Sequence, residues 1–109
     1  NEGVAYLQVD NQLIRDGAIK KSQLRKLKSL KIIHPCPWMY EREILKFNLV
    51  VVEKNKACKF WEIKGGQISE DIRHSLSEMK NPKAVFVEAI HVKGPCHFKP
   101  IDSIVLDVK

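Results

Sequence analysis

The side chains able to do chemistry are few and scattered along this chain. Its imidazoles are His34, His74, His91 and His97, and its thiols are Cys36, Cys58 and Cys96. No CxxC, HxH or HExxH spacing joins them, so a zinc ribbon, a thioredoxin-like redox pair and a zincin helix are all absent. His91 and His97 flank Gly94, with Cys96 beside His97. A tight turn there would crowd three metal-ligating groups, but the spacing matches no closed four-ligand set. Cys96 beside His97 also suggests a nucleophile with its base. Adjacent residues on a strand point to opposite faces, however, so only loop geometry would let the two meet. Gly65-Gly66 forms no phosphate cradle, and the acids are not paired on one strand face. The sequence therefore predicts no catalytic residue, metal or cofactor, no small-molecule substrate, and no enzyme. Three thiols allow one internal disulfide at most, and spacing does not choose the pair.

Two stretches read better as contact surfaces. Trp38, Met39, Tyr40 and Arg42 bring together four residue types enriched at protein interfaces. They follow His34-Pro35-Cys36-Pro37, where each proline biases its predecessor to extended geometry, so they belong to a loop. A hydrophobic plug over the core is the competing reading. Trp61, on a strand, reads as core or sheet surface. The second stretch is basic. Arg15, Lys20, Lys21, Arg25, Lys26, Lys28 and Lys31 stand against Asp16 alone, an excess equal to the whole net charge of +6. Lys20, Lys21, Arg25 and Lys28 are the candidate patch for an anionic partner. A solvated face that keeps a small domain soluble is the plainer reading. No aromatic is interleaved with the run, so nucleic-acid bases have no stacking platform there, and nucleic acid is disfavoured as a partner.

A chain of 109 residues suits one domain, spanning 1–109. With 44% apolar and 29% charged residues it is neither disordered nor collagen-like. The uninterrupted apolar run Leu49–Val52 falls far short of the roughly 18 residues of a membrane span. The chain starts at Asn1 and shows no signal peptide, which suggests a fragment of a longer protein.

The elements that must carry these residues follow from periodicity. Val4–Val9 alternates as a strand, and Asp10-Asn11 is a turn. Ser22 as N-cap with Leu24, Leu27 and Leu30 three apart predicts a helix of two to three turns. From Glu43 to Glu53 the period is two, with Leu45, Phe47, Leu49 and Val51 on one face. Lys54-Asn55-Lys56 turns the chain into a second strand, Ala57–Ile63, to give an antiparallel hairpin. Ser69 caps a second helix with Glu70 and Asp71 in its first turn, and Asn81-Pro82 closes it. Ile72, Leu76 and Met79 form its apolar stripe, expected to pack on Phe86 or Val87. Val85–Val92 is apolar on both faces and reads as central. Gly94-Pro95 connects it to the last strand, where Ile104, Leu106 and Val108 face inward. The expected fold class is α+β, a mostly antiparallel sheet with two short helices. Gly17, Ile19, Leu27 and Leu30 repeat as Gly66, Ile68, Leu76 and Met79 at a constant offset, which suggests two similar helix-plus-strand halves.

Several of these segments together resemble one family. Gly17-Ala-Ile-Lys-Lys-Ser-Gln-Leu24, Ile44–Val52, Ile68–Ile72, Met79–Lys83, Ala84–Ile90, His91-Val-Lys-Gly-Pro95 and Pro100–Val108 are similar to the C-terminal periplasmic domain of the gliding-motility protein GldM. Glu88 through Pro95 is the sharpest element. The chain departs from the family at Asn81-Pro82-Lys83, at Cys96-His97 after the Lys-Gly-Pro turn, and in its basic segment and Pro35–Trp38 loop. The resemblance implies a GldM-like, non-enzymatic, periplasmic protein-interaction domain from a Bacteroidetes-type bacterium. It would be the partner-contacting tip of a connector in gliding motility and type IX secretion. The implied partner is a protein of the cell envelope, and the family's dimeric rod makes a homodimer one arrangement to consider. The alternatives are an extracytoplasmic domain of a membrane sensor and a basic nucleic-acid-binding module.

Overall fold

Alternation decides the first strand. In the computed structural model, which describes residues 4–33, 43–55, 57–92 and 101–109, β1 (Val4–Val9) buries Ala5, Leu7 and Val9 and turns Tyr6 and Gln8 outward. Asp10 takes a left-handed φ of 51°, and the chain returns as the short β2 (Gln12–Ile14), antiparallel to β1. Then follow β3 (Ala18–Ile19), α1 (Lys21–Leu24), β4 (Leu27–Ile33), β5 (Ile44–Glu53), β6 (Cys58–Lys64), α2 (Glu70–Glu78), β7 (Pro82–Val92) and β8 (Ile104–Val108). They form a three-stranded sheet, β2-β1-β4, and a five-stranded sheet, β3-β8-β7-β5-β6. Every pairing is antiparallel except β3 with β8. The fold is thus α+β and β-rich, with two helices, and β7 is the middle strand of its sheet, as its two apolar faces require.

The first helix differs from expectation. It ends at Leu24, and Leu27 and Leu30 lie on β4. Their spacing of three arises from a bulge rather than a helical turn. Pairing steps from Val9↔Leu27 to Gln8↔Ser29, so Lys28 is an extra residue on β4. Beyond it, Leu30 faces Leu7 and Ile32 faces Ala5. One strand thereby buries Leu27, Leu30 and Ile32 on the same side. The odd residue, Ser29, is buried on the other side, where its hydroxyl donates to Gln8 Oε1 at 3.1 Å.

The second helix follows its sequence. Ser69 Oγ accepts from the Ile72 amide at 3.3 Å, Leu76 and Met79 are buried, and Ile72 is partly buried. Leu76, Met79 and Val87 belong to one core cluster, whereas Phe86 points to the opposite side of β7. That cluster is shared by both sheets: Leu7, Leu27 and Leu30 meet Phe47, Leu49, Val85 and Leu106 in it.

In β5, Phe47, Leu49 and Val51 are inward as expected, but Leu45 is exposed and Ile44 is buried. The cause is a pair of register shifts around Lys46, which invert the alternation at that end of the strand. The partner strand carries the matching irregularity. Pairing steps from Asn48↔Glu88 to Lys46↔His91, so Ala89 and Ile90 together face Phe47, and Ala89 has a φ of 51°. The bulge exchanges the faces of β7, with Val85 and Val87 inward before it and Ile90 inward after it.

β7 and β8 are antiparallel neighbours, with Val85 opposite Leu106. Gly94-Pro95 lies outside the described residues. The repeated Gly-x-Ile spacing has a structural counterpart only at its start. Gly17, with a φ of 89°, accepts the Asp107 amide and precedes Ile19 on β3. Gly66 precedes Ile68 where Gln67 bridges to Ser29. At Gly66 a Cβ would sit 3.2 Å from the Leu30 carbonyl oxygen, so a larger residue would press the second segment away from β4 by a few tenths of an ångström. Past these lead-ins the halves diverge, and Leu27 and Leu30 on a strand do not match Leu76 and Met79 at a helix.

Candidate functional site: an apolar sheet face and a basic groove

The five-stranded sheet has one face in the core and one away from it. On the outer face, strand register aligns side chains into rows. Val50 faces Phe60 on β6 and Phe86 on β7, and Phe86 faces Val105 on β8. Phe60, Val50, Phe86 and Val105 thus form an apolar row across four strands. Its ends are the most open, Phe60 at 59% and Val105 at 54% exposure, and Val50 and Phe86 are half-buried between them. The next row is polar, with Asn48 between Glu62 and Glu88. The one beyond is basic, with Lys46 between Lys64 and His91. Two aromatic rings in a solvated row are what a contact surface presents, and burying them would remove apolar area worth about 25 cal/mol per Å2.

The basic segment does not act as a single patch. Arg15 tucks inward, donating from Nη1 to the Ala5 carbonyl at 3.1 Å, with Nη2 3.9 Å from Asp102. Lys20 is the N-cap of α1, and its amide donates to Gln23 Oε1 at 2.8 Å. Lys21 Nζ reaches the Lys80 carbonyl, just past the end of α2, at 2.6 Å. Lys26 pairs with Asp10 at 3.5 Å. Arg25 and Lys28, by contrast, line a groove of about 460 Å3 with Asp10, Lys26, Gln67 and Arg73. Of the sequence candidates, the fold therefore joins Arg25 and Lys28, and sends Lys21 elsewhere. It adds Arg73, which sequence reasoning missed because it stands on α2, far along the chain from the basic run. The half-buried Arg73 donates from Nη1 to the Ile68 carbonyl at 2.7 Å and to the Leu27 carbonyl at 3.4 Å.

Trp38, Met39, Tyr40 and Arg42 lie outside the described residues, as do His34, Cys36, Cys96 and His97. Trp61 is half-buried against the core from β6. His74 pairs with Glu78 one turn along α2, and His91 stands opposite Lys46 on the outer sheet face. Among the described residues no three His, Cys, Asp or Glu side chains gather as a metal site. No described helix is long and apolar enough to cross a membrane. No family model, curated protein or solved structure matches the chain.

Proposed function

We propose that this domain is a non-enzymatic protein-interaction module that docks a partner on the outer face of its five-stranded sheet. The observation that carries the reading is the exposed row Phe60, Val50, Phe86 and Val105. Large aromatic side chains held on a rigid sheet lose little conformational entropy on binding, which is why such residues concentrate interface energy. The polar row Glu62, Asn48 and Glu88 and the basic row Lys64, Lys46 and His91 would give the contact a polar rim on one side. The resemblance to the GldM C-terminal domain adds a setting, a periplasmic connector tip facing a protein of the cell envelope. Trp38, Met39, Tyr40 and Arg42 are a second candidate contact in that reading.

The test is site-specific photo-crosslinking in the native cell, with the probe at Phe60 or Val105, and at the exposed Lys31 on β4 as control. Adducts of one defined protein from Phe60 and Val105, absent from Lys31, support the proposal. A Phe60→Glu, Val105→Glu double variant should fold and lose the adduct when the probe is moved to Phe86. If probes on the sheet face give no adduct while the protein is expressed and folded, this face is not the docking surface.

A further inference from the structure

We infer that the groove lined by Arg25, Lys28 and Arg73 is a binding site for a phosphate-bearing anion. The inference stands apart from the apolar sheet face, since none of its lining residues belongs to that face. The charge of the groove is the first argument. Asp10 is already matched by Lys26 at 3.5 Å. Among the described residues no carboxylate pairs with Arg25, Lys28 or Arg73. Three unopposed cations around one concavity of about 460 Å3 repel one another, and a multiply charged anion would relieve that repulsion.

The second argument is how Arg73 is held. Its Nη1 is occupied by the Ile68 and Leu27 carbonyls, which fix the plane of a half-buried guanidinium. Its Nη2 and Nε make no hydrogen bond among the described residues. A guanidinium immobilised in this way presents its remaining donors without further ordering cost, and its fork matches two oxygens of a phosphate. Arg25 and Lys28 are exposed and can supply point charge to the others. A carboxylate carries one charge and two oxygens, too few for three cations. A phosphate or diphosphate carries two or three charges, and the groove leaves space for the group that bears it. Gln67, on the rim, offers that group a neutral amide. No aromatic lines the groove, so it lacks the stacking platform of a single-stranded nucleic-acid site.

The experiment is a titration of the 109-residue chain with inorganic pyrophosphate, followed by amide chemical shifts and by calorimetry. Saturable shifts at Lys28, Gln67 and Arg73 are expected, with an affinity that weakens as salt rises. Lys28→Gln and Arg25→Gln, both at exposed positions, should each weaken binding about tenfold, the loss of one charge-assisted contact. Lys21→Gln, whose ammonium lies on the Lys80 carbonyl instead, should bind as wild type. Arg73→Gln should abolish binding; should it unfold, the Lys28 and Arg25 variants carry the test. Vesicles containing phosphatidic acid form a second arm. Retention on them that pyrophosphate displaces identifies a lipid headgroup as the source of the phosphate, and soluble binding without retention identifies a free one. Absence of shifts at millimolar pyrophosphate overturns the inference. So does binding that Lys21→Gln weakens as much as Lys28→Gln. Tighter binding to single-stranded DNA than to pyrophosphate, lost equally on changing Lys20 or Lys21, also overturns it, in favour of a nucleic-acid surface.

Discussion

The segments Gly17–Leu24 and Gly66–Glu78 begin alike and end differently. Each opens on Gly-x-Ile, each buries its isoleucine, and each reaches a strand before a helix starts, β8 for Ile19 and β4 for the residues around Ile68. From there the second runs for nine helical residues and the first for four. The capping chemistry differs. Ser69 Oγ accepts from the Ile72 amide, and Glu70 and Asp71 sit where the helix dipole favours acids. Lys20 has no acceptor in its side chain, and no acid stands in the first turn. The neighbours differ as well. After Leu24 the chain meets β1, whose Ala5, Leu7 and Val9 are open to a partner strand, and Leu27–Ile33 pairs with them. After Leu76 the chain meets no such strand until Pro82. The lesson is that a shared lead-in fixes where a segment starts, whereas caps and available partners fix how far a helix runs.

The comparison can be broken at five positions. Leu76→Ala removes the anchor of the longer helix and should cost about 2–5 kcal/mol, as core leucine truncations do. An unchanged Tm would mean that α2 is not held by its apolar stripe. Ile19→Val and Ile68→Val test whether the lead-ins are equivalent. Each should destabilise by about 0.5–1.5 kcal/mol in chemical denaturation, and by similar amounts. A large effect at one and none at the other would dissolve the likeness. Ser69→Ala should cost about 1 kcal/mol and reduce helicity by circular dichroism, because the Ile72 amide loses its acceptor. The smallest effect is a gain. Lys20→Asp supplies the missing acceptor and an acid at the dipole's positive end, and should stabilise by a few tenths to about 1 kcal/mol. If it instead destabilises, α1 is short for a reason other than its cap.

What was legible in the sequence follows the same division. β1, the inward Phe47, Leu49 and Val51 of β5, the hairpin with β6, the capped α2, the central β7 and the inward residues of β8 were all readable, because over most of their length their side chains obey one period. The misreadings fall where a bulge changes the period. Lys28 makes Leu27 and Leu30 look helical, and the shifts around Lys46 put Ile44 inside and Leu45 out. No local signal marks either, since each is imposed by the strand opposite. The sites divide similarly. Arg25 and Lys28 stand out as neighbours in a basic run, but Arg73 joins them only through the packing of α2 beside β4. The apolar row was invisible as a row. Phe60, Val50, Phe86 and Val105 come from four strands, and only register brings them into line.

The left-handed Ala89 bears on how the sheet assembles. A strand as apolar as β7 has several near-equivalent ways to align with β5, and hydrophobicity alone discriminates poorly among them. Sliding it by two residues preserves the alternation within each flank, and only residues at the bulge change face, Glu88 inward or Ile90 outward. It would, however, carry Val87 or His91 into the position now held at a φ of 51°. A β-branched valine is strongly disfavoured there, whereas histidine tolerates the left-handed region. The left-handed position thus penalises the misalignment that would place Val87 there, a local cost added to that of burying Glu88.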